Sequence, residues 1–384
     1  MFDLDAALHY LIKAGGSDLH LKVPSKPLIR LDGELEPIPD SDTLTQEDTQ
    51  ATVRHMLDDA EKLEEFSKER EIDFAYAIPG LARFRVNAFY QRGSISLVIR
   101  AIPISIKTIE DLNLPPVIRT LADEERGIVL LTGTTGSGKS TTLAAMIDHI
   151  NSTKSRHIVT IEDPIEFLHP DKKSAINQRE VGFDTTSFKR AMRRVLRQDP
   201  DVILIGELRD EETVQTALSA AETGHLVLST VHTLDATETV NRLIEFFPPH
   251  MHQQVRAMIA GTLKGAISQR LVRATGGKGR VATCEVLRTT GRVVDMIMDP
   301  LQTGKLHEVI QEGGYYGMQT FDQALFEHLK AGRIEMEDAI AASTAPHDFK
   351  LLVASDGRRG TTMADLEQAE DQRAEGAPVG SALR

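Results

Sequence analysis

The feature that most limits the fold of this chain is a glycine-rich segment, residues 133–140, which has the form G-x-x-x-x-G-K-[S/T]. The apolar run 128–132 before it is typical of a buried strand, and the run 141–147 after it is typical of the first turns of a helix. Glycines in such a loop let the backbone N–H groups point inward at an anion, and the helix N-terminus adds partial positive charge. The pattern predicts a polyphosphate-binding loop in an α/β fold.

The residue types in this loop match a nucleoside triphosphate. Lys139 is placed to reach the β- and γ-phosphates, and the hydroxyl of Ser140 can take one position on Mg²⁺. The predicted cofactors are therefore ATP and Mg²⁺. The predicted contacts are Gly133, Thr134, Thr135, Gly136, Ser137, Gly138, Lys139, Ser140 and Thr141.

Composition excludes several classes of protein. The 384 residues are enough for two domains, and the formal charge of −13 argues against a protein that coats nucleic acid. No stretch approaches the ~20 consecutive apolar residues of a transmembrane helix, and the acidic N-terminus lacks the pattern of a signal peptide. A single cysteine, Cys284, excludes an internal disulfide and a multi-cysteine zinc site. A cytoplasmic protein is the expectation.

The first hundred residues are predicted to form a small α+β domain. Apolar spacing indicates a helix over 4–14 and a polar helix over 46–68. Alternating runs indicate strands at 19–23, 27–31, 34–38, 72–76, 82–90 and 94–101, with a hairpin turn at Asp32-Gly33. We assign residues 1–102 to this domain and 103–118, which is rich in proline, to a linker.

Beyond residue 119 the order becomes strand, helix, strand, helix, which is typical of a parallel sheet that binds nucleotide at its carboxyl edge. The predicted strands are 128–132, 157–161, 201–206 and 225–231. A long amphipathic helix is predicted over 251–271, followed by a mostly helical part that completes a domain of residues 119–353. The tail, 354–384, has few large apolar residues and is predicted to be disordered.

Acidic residues follow two of these strands. Glu162 and Asp163 come directly after 157–161, and Glu207 follows 201–206 in the form of a Walker B element. Because parallel strands end at one edge of the sheet, one carboxylate can hold Mg²⁺ through water while the other activates the attacking water. For one such residue a strand-end cap is the usual role, but two in this context favour hydrolysis.

Two histidines, His225 and His232, flank the strand 225–231 at opposite ends, roughly 23 Å apart by strand rise. A shared metal is therefore not expected. His232, at the carboxyl end, is placed to bind a γ-phosphate or Glu207, and His225 is expected to be structural.

Arginines can stabilise the charge that develops in phosphoryl transfer. Arg83 and Arg85 share one strand face, with Arg100 on a neighbouring strand, and would suit a phosphate clamp. A second set shares a helix face and is equally consistent with a solvated surface: Arg190, Arg193, Arg194 and Arg197.

Several segments together resemble the type II/IV secretion ATPase superfamily, and within it the type IV pilus retraction ATPases, over residues 1 to about 353. They are GSDLHL at 16–21, ARFRVN at 82–87, the P-loop, TIEDPIEF at 160–167, IGELRD at 205–210, the histidine segment 223–233, and GMQT at 317–320.

The resemblance implies a PAS-like N-terminal domain, a RecA-like ATPase domain and a homohexameric ring that acts on an inner-membrane pilus platform protein. Lys139 and Ser140 would bind phosphate and Mg²⁺, Glu162 would be the general base, and Glu207 the Walker B residue. His232 would sense the γ-phosphate. Arg83, Arg85 and Arg100 would be candidate charge-stabilising fingers. The chain would work at the inner face of the membrane, at the pilus base, with other pilus ATPases possible as partners and no direct nucleic-acid contact.

One segment departs from the family pattern. Retraction ATPases usually carry a stretch reading A-I-R-N-L-I-R-E, and here residues 292–299 read RVVDMIMD, so that both arginines are replaced by apolar residues. This departure concerns the coupling of hydrolysis to retraction and not hydrolysis itself.

Four alternatives stay open. Extension and type II secretion ATPases often carry a further N-terminal domain and a four-cysteine zinc module, and conjugation ATPases share the ring. A DNA translocase is disfavoured by the acidic composition, and a non-hydrolysing ring subunit by intact Lys139, Glu162 and Glu207.

Overall fold

The computed structural model describes residues 2–31, 33–102, 105–277 and 279–355, and these form two compact units. Unit 1 comprises Met1–Ile106, Asp163–Pro170 and Arg179–Thr186, and unit 2 comprises Lys107–Glu162, Asp171–Gln178 and Ser187–Arg384. Pro103 and Ile104 of the predicted linker, Asp32 of the predicted hairpin and nearly all of the predicted disordered tail lie outside the described residues. Within the described part of the chain, no helix is both long and apolar enough to cross a membrane.

Unit 1 is built on an antiparallel sheet of six strands in the order β3-β2-β1-β6-β5-β4. The strands are β1 (Asp18–Leu21), β2 (Leu28–Leu31), β3 (Glu34–Pro37), β4 (Glu71–Ile78), β5 (Ala82–Gln91) and β6 (Ser94–Ile102). On β5 buried Phe84, Val86 and Ala88 alternate with Arg83 and Arg85. The two-residue period therefore places the core on one face of the sheet and the arginines on the other.

Three helices belong to unit 1: α1 (Leu4–Lys13), α2 (Gln46–Met56) and α3 (Ala60–Glu69). The prediction of α1 is confirmed, but the prediction of one helix over 46–68 is wrong. The chain leaves the helix at Leu57, and the side chain of Asp59 then accepts a hydrogen bond from the N–H of Glu61 to begin α3. An aspartate at an N-cap is a usual start signal, and it divides the polar stretch into two helices.

The second sheet has seven strands in the order β13-β12-β7-β11-β10-β8-β9. They are β7 (Gly127–Thr132), β8 (His157–Glu162), β9 (Ala175–Glu180), β10 (Val202–Ile205), β11 (Leu226–Val231), β12 (Leu263–Arg273) and β13 (Arg280–Arg288). Pairs β7–β11, β11–β10, β10–β8 and β12–β7 are parallel. The four predicted strands are therefore confirmed as β7, β8, β10 and β11. Strand β9 was missed, and so was β13, which lies in the part of the chain predicted to be mostly helical.

The helices of the later part of the chain pack on this sheet and continue beyond it. They are α4 (Val117–Ala122), α5 (Lys139–Thr153), α6 (Phe188–Val195), α7 (Glu211–Glu222), α8 (Ala236–Glu245), α9 (His252–Thr262), α10 (Gly291–Met298), α11 (Leu306–Glu312), α12 (Phe321–Lys330), α13 (Met336–Ala342) and α14 (Pro346–Ala354). The mostly helical end of the chain agrees with the prediction.

The predicted long helix over 251–271 is wrong in its second half. Helix α9 ends at Thr262, and β12 begins at the next residue and pairs with β7 on one side and β13 on the other. Because β12 lies inside the sheet, most of its positions are buried, and its apolar residues show no simple alternation. Leu263, Ile267 and Leu271 are four residues apart, a spacing that is also typical of a helix.

Candidate functional site

The glycine-rich loop connects β7 to α5, as the sequence predicts. Gly133, Gly136 and Gly138 have φ angles of 137°, 79° and 88°, a region of backbone conformation that L-residues with side chains rarely adopt. The side chain of Lys139 is folded back onto this loop. Its Nζ donates to the carbonyl oxygens of Gly133 at 2.7 Å and Thr134 at 2.9 Å.

Helix α5 begins in the loop without a side-chain cap at Gly138. The first N–H groups of a helix have no partner within the helix, and they carry much of the positive end of its dipole. The hydroxyl of half-buried Ser140 lies in the first turn of this helix. The loop and helix together therefore form an anion-binding end with a lysine and a hydroxyl beside it.

The carboxyl ends of the neighbouring parallel strands meet at this edge of the sheet. Thr132, the last residue of β7, pairs in register with Val231, the last residue of β11. Gly133 and His232 therefore follow their strands at the same level. This placement brings His232 beside the start of the phosphate-binding loop.

The two predicted carboxylates leave the same edge one and two strands further on. Ile205 of β10 is in register with Ile161 of β8, so that Glu162 lies beside Gly206 and just before the level of Glu207. The N–H of Gly206 donates to the carbonyl oxygen of Ile161 at 2.9 Å, which extends the pairing past the strand end.

Glu207 is held between two cationic or potentially cationic side chains. Nε and Nη2 of Arg209 both donate to its Oε2 at 2.8 Å, and Nε2 of His232 lies 3.3 Å from its Oε1. Glu207 is one of the two partners expected for His232 from the sequence. Arg209 was not singled out from the sequence, although its position two residues after Glu207 places it on the same side of an extended chain.

Glu162 accepts hydrogen bonds from two neutral side chains. Its Oε1 accepts from Oγ1 of Thr160 at 2.6 Å and from Nε2 of Gln178 at 3.2 Å. Donors of this kind fix the direction of a carboxylate without cancelling its charge. The ion pairs of Glu207 with Arg209 and His232 are close enough to be exchanged for contacts with a bound phosphate or metal-bound water.

His225 lies at the other end of β11. Its Nδ1 is 2.9 Å from the carbonyl oxygen of Ala220 and 3.2 Å from Oγ1 of Thr223, at the end of α7. These contacts agree with the structural role expected for it.

The three arginines expected to clamp phosphate belong to unit 1. Arg83 is largely buried, and its Nη2 donates to Oε2 of Glu180 at 3.1 Å within that unit. Its guanidinium also lies over the ring of Phe183, 5.4 Å from the centroid. Glu180 is held in turn, because its Oε2 accepts from the N–H of Ile165 at 3.2 Å.

Arg85 and Arg100 are direct cross-strand neighbours on β5 and β6. Arg85 is exposed and lies 3.9 Å from Asp73, whereas Nε of Arg100 donates to Oδ1 of Asp18 at 2.7 Å. Burial raises the pKa of the Asp18 carboxyl, but hydrogen bonds from Ser17 and Arg100 outweigh it and lower that pKa below its ordinary value. The role of all three arginines in catalysis stays a prediction.

The second arginine set lies on and just after α6. Arg193 donates to Glu212 at 2.8 Å, and Lys189 contacts the same carboxylate. Arg190 and Arg194 are exposed, and Arg197 follows the helix end. This arrangement agrees with the alternative of a solvated basic face.

The oxygen groups at the site suit Mg²⁺, which prefers oxygen ligands and needs only one or two from the protein when phosphates and water supply the others. Ser140 offers a hydroxyl and Glu207 a carboxylate. Among the residues that the structure describes, no group of three or more His, Cys, Asp and Glu side chains could hold a metal by itself.

Gln269, on β12 behind the loop, was also missed. Its Nε2 donates to the carbonyl oxygen of Ser137 at 2.8 Å, and its Oε1 accepts from Oγ1 of Thr142 at 2.8 Å. No local sequence signal marks it, since its contact with Ser137 spans 132 residues. Recognising residues 263–273 as a strand would have placed it beside the loop.

The fold and this loop define an α/β protein of the P-loop class. The model of the family "Type II/IV secretion system protein" matches residues 3–323, and the chain belongs to that family. Among curated proteins, the type IV pilus retraction ATPase PilT of Pseudomonas aeruginosa is 44% identical over 90% of this chain and 100% of its own length. The type IV pilus ATPase PilU of the same organism is 40% identical over 91% of both chains. A twitching motility protein of Neisseria gonorrhoeae is 44% identical over 82% of this chain and 83% of its own.

Two solved structures resemble the fold closely. A crystal structure of the pilus retraction motor PilT with bound ADP has a TM-score of 0.83 and 41% identity, and it covers 91% of this chain and 100% of that chain. The ATPase DotB of Legionella pneumophila has a TM-score of 0.74 and 27% identity, with 92% and 95% of the two chains covered. The sequence-based resemblance to pilus retraction ATPases is thereby confirmed.

Proposed function

We propose that this chain is an ATPase motor that couples ATP hydrolysis to disassembly and retraction of a type IV pilus, and thus supports twitching motility. The observation that carries the proposal is the similarity to PilT along that protein's whole length, at 44% identity. The intact P-loop and the carboxylates at the strand ends supply groups that hydrolysis needs.

In this proposal the loop from Gly133 to Thr141 wraps the phosphates of ATP. The ammonium of Lys139 gives up the carbonyl oxygens of Gly133 and Thr134 for the β- and γ-phosphates. Mg²⁺, when bound with the nucleotide, neutralises phosphate charge, and Ser140 and Glu207 (through water) are the residues that would hold it.

Glu162 orients the attacking water and accepts its proton, since the hydrogen bonds from Thr160 and Gln178 fix its carboxylate. Glu207 and His232 respond to the γ-phosphate. Their contact at 3.3 Å can be exchanged for contacts with phosphate oxygen or metal-bound water. Hydrolysis then reverses the exchange, which offers a local signal of nucleotide state.

The finer domain assignment is part of the proposal. Residues 1–102 form a PAS-like domain, 103–118 a linker, and 119–353 a RecA-like ATPase domain, with 354–384 as a disordered tail. Arg83, Arg85 and Arg100 are charge-stabilising residues in this assignment. They are cationic groups on one face of a rigid sheet, although Arg83 and Arg100 would have to release Glu180 and Asp18.

Assembly and location follow from the family resemblance. We propose a homohexamer that works in the cytoplasm at the inner face of the membrane, against the pilus platform protein, with other pilus ATPases as further partners. DNA or RNA is not a proposed ligand, in keeping with the net charge of −13.

A second candidate is a pilus ATPase with another task in the same machinery. It is supported by the 40% identity with PilU and by the replacement of both arginines in residues 292–299. A related extension or secretion ATPase, or a non-hydrolysing ring subunit, belongs to the same group of alternatives.

The first experiment measures ATP turnover by the purified full chain together with its mass by light scattering. Glu207→Ala should bind ATP but hydrolyse it at least about a hundredfold more slowly, since Glu207 would hold Mg²⁺ through water and groups that stabilise developing charge contribute about 10²–10³. Glu211→Ala is the matched control, because this exposed glutamate lies four residues away on α7. We expect a hexamer with normal turnover for the control.

A chain that binds ATP without turning it over would refute the motor and favour the regulatory subunit. Pilus retraction is tested separately, by expressing the chain in a piliated bacterium that lacks its retraction ATPase. Restored twitching, lost with Glu207→Ala, supports retraction, and active hydrolysis without twitching favours the second candidate.

A further inference from the structure

A buried amide lies behind the phosphate-binding loop and contacts both the loop and the helix that follows it. Gln269 is only 2% exposed. Its Nε2 donates to the carbonyl oxygen of Ser137 in the loop, and its Oε1 accepts from Thr142 in the first turns of α5. One side chain therefore joins β12 to the two parts of the phosphate-binding element.

The orientation of this amide follows from its partners. The carbonyl oxygen of Ser137 can only accept, so the NH₂ group must face it. The thiol of Cys284 lies 3.9 Å from Oε1, and burial raises its pKa to about 12, which keeps it protonated as a weak donor. Both the thiol and the hydroxyl of Thr142 therefore favour the same orientation of Gln269.

The bond to Ser137 also determines where the next N–H group points. A peptide unit is planar and trans, so its C=O and N–H point in opposite directions. Because the carbonyl oxygen of Ser137 is held toward β12, the N–H of Gly138 points away from β12. In a P-loop that direction is the inside of the phosphate cradle.

The close approach of Gln269 leaves room only for glycine at two positions of the loop. A Cβ atom on Gly133 would lie 2.4 Å from the backbone oxygen of Gln269, and one on Gly138 would lie 2.7 Å from its Nε2. Real Cβ atoms do not approach other atoms so closely. At both glycines the loop therefore packs against residue 269 without room for a side chain, at Gly133 against its backbone and at Gly138 against its amide.

We propose that Gln269 is a positioning residue that holds the P-loop open for phosphate and thereby sets the affinity for the phosphate chain of the nucleotide. This inference rests on the proposed nucleotide binding at the loop. It concerns ADP and ATP alike, since the contact is made behind the cradle rather than at the γ-phosphate.

The test compares Gln269→Met with Ser268→Ala. Methionine keeps the length of the side chain but neither donates to Ser137 nor accepts well from Thr142. Ser268, next to Gln269 on β12, accepts a buried hydrogen bond of 2.9 Å from Thr132 of β7, and Ser268→Ala removes this bond without touching residues 133–142. Dissociation constants for ADP are measured by calorimetry, with thermal unfolding of the nucleotide-free proteins in parallel.

We expect Gln269→Met to weaken ADP binding about tenfold or more, since losing a hydrogen bond or leaving a buried polar group unpaired corresponds to about a tenfold change in the dissociation constant. Ser268→Ala should change it less than about threefold while lowering the melting temperature by a comparable amount. Hydrogen exchange at 133–139 in the nucleotide-free chain should be faster in Gln269→Met alone. A purely structural role would make both variants alike, and that result would overturn the inference.

Gln269→Asn covers the case in which the methionine variant does not fold. Its amide is one methylene shorter and cannot span Ser137 and Thr142 together, so unchanged ADP affinity in this variant also overturns the inference. A wild-type chain that binds no ADP refutes the proposed function, whereas normal binding in the wild type and in the Gln269 variants refutes only the positioning role.

Discussion

A buried arginine on α9 holds the end of α10. Replacing it should lower the stability far more than replacing an exposed arginine on α10 itself. Arg256 on α9 is 9% exposed, and its Nη1 donates to the carbonyl oxygen of Ile297 at 2.8 Å and to Oγ1 of Thr303 at 2.9 Å. Thr303 itself donates to carbonyl oxygens beside the helix end. The guanidinium is thus one centre of a closed network at the C-terminus of α10.

The magnitude follows from what Arg256→Met leaves behind. Each hydrogen bond from a charged donor contributes about 1.5–3 kcal/mol, so two would give about 3–6 kcal/mol. Part of this is offset, because burial of the guanidinium is itself unfavourable and lowers the pKa of Arg256. We expect a net loss of about 3 kcal/mol in the free energy of unfolding, mainly from the unpaired carbonyl oxygen of Ile297.

The control is Arg292→Met on α10 itself. Arg292 pairs with Glu312 at 2.7 Å, but both side chains are more than half exposed. Exposed ion pairs contribute about 0–1 kcal/mol. The free energies of unfolding of both variants are measured by urea unfolding followed by circular dichroism, with the same dependence on urea concentration (m-value) used for both. If Arg256→Met fell within about 1 kcal/mol of Arg292→Met, the network would not stabilise this helix end and the reasoning would be wrong.

Two further predictions concern the loop and a buried carboxylate. Gly133→Ala should destabilise the nucleotide-free chain in urea unfolding more than Gly136→Ala, because both have positive φ but only the first meets a backbone oxygen, at 2.4 Å from Gln269. Equal losses would contradict this. The carboxylate of buried Glu285, 3.7 Å from Nδ1 of His307, raises the pKa of the histidine, so the stabilisation by this ion pair is complete below about pH 6.5 and is lost as pH rises through the higher folded pKa. His307→Gln should therefore flatten the fall in unfolding free energy above pH 6.5, and an unchanged profile would exclude this pair as its source.

The parallel strands that carry the site could be predicted because local sequence defines them. Each of β7, β8, β10 and β11 is a short apolar run that ends in glycine, acid or histidine. The register of these strands then brings the P-loop, Glu162, Glu207 and His232 to one edge, as a parallel sheet requires.

The incorrect helix predictions over 251–271 and 46–68 have different physical causes. In β12, most positions are buried, and apolar residues that happen to be spaced four apart cannot be distinguished from a helix by local periodicity. In the stretch 46–68 a signal was present, since Asp59 caps α3. The role of Gln269 could not be predicted, because it depends on a sheet contact across 132 residues.

The segment that departs from the retraction family forms α10, and the change lies beside its packing face. Val293, Met296 and Ile297 are buried, and they occupy the positions where the pattern A-I-R-N-L-I-R-E is also apolar. Val294 and Met298, which replace its arginines, are only half-buried. Compared with the pattern, the helix therefore keeps its packing residues, while its surface loses two arginines and gains exposed Arg292. No residue of the phosphate-binding loop is involved, so under the proposed function we expect the replacement to affect a contact at this surface rather than hydrolysis. ATPase activity alone would therefore not establish retraction.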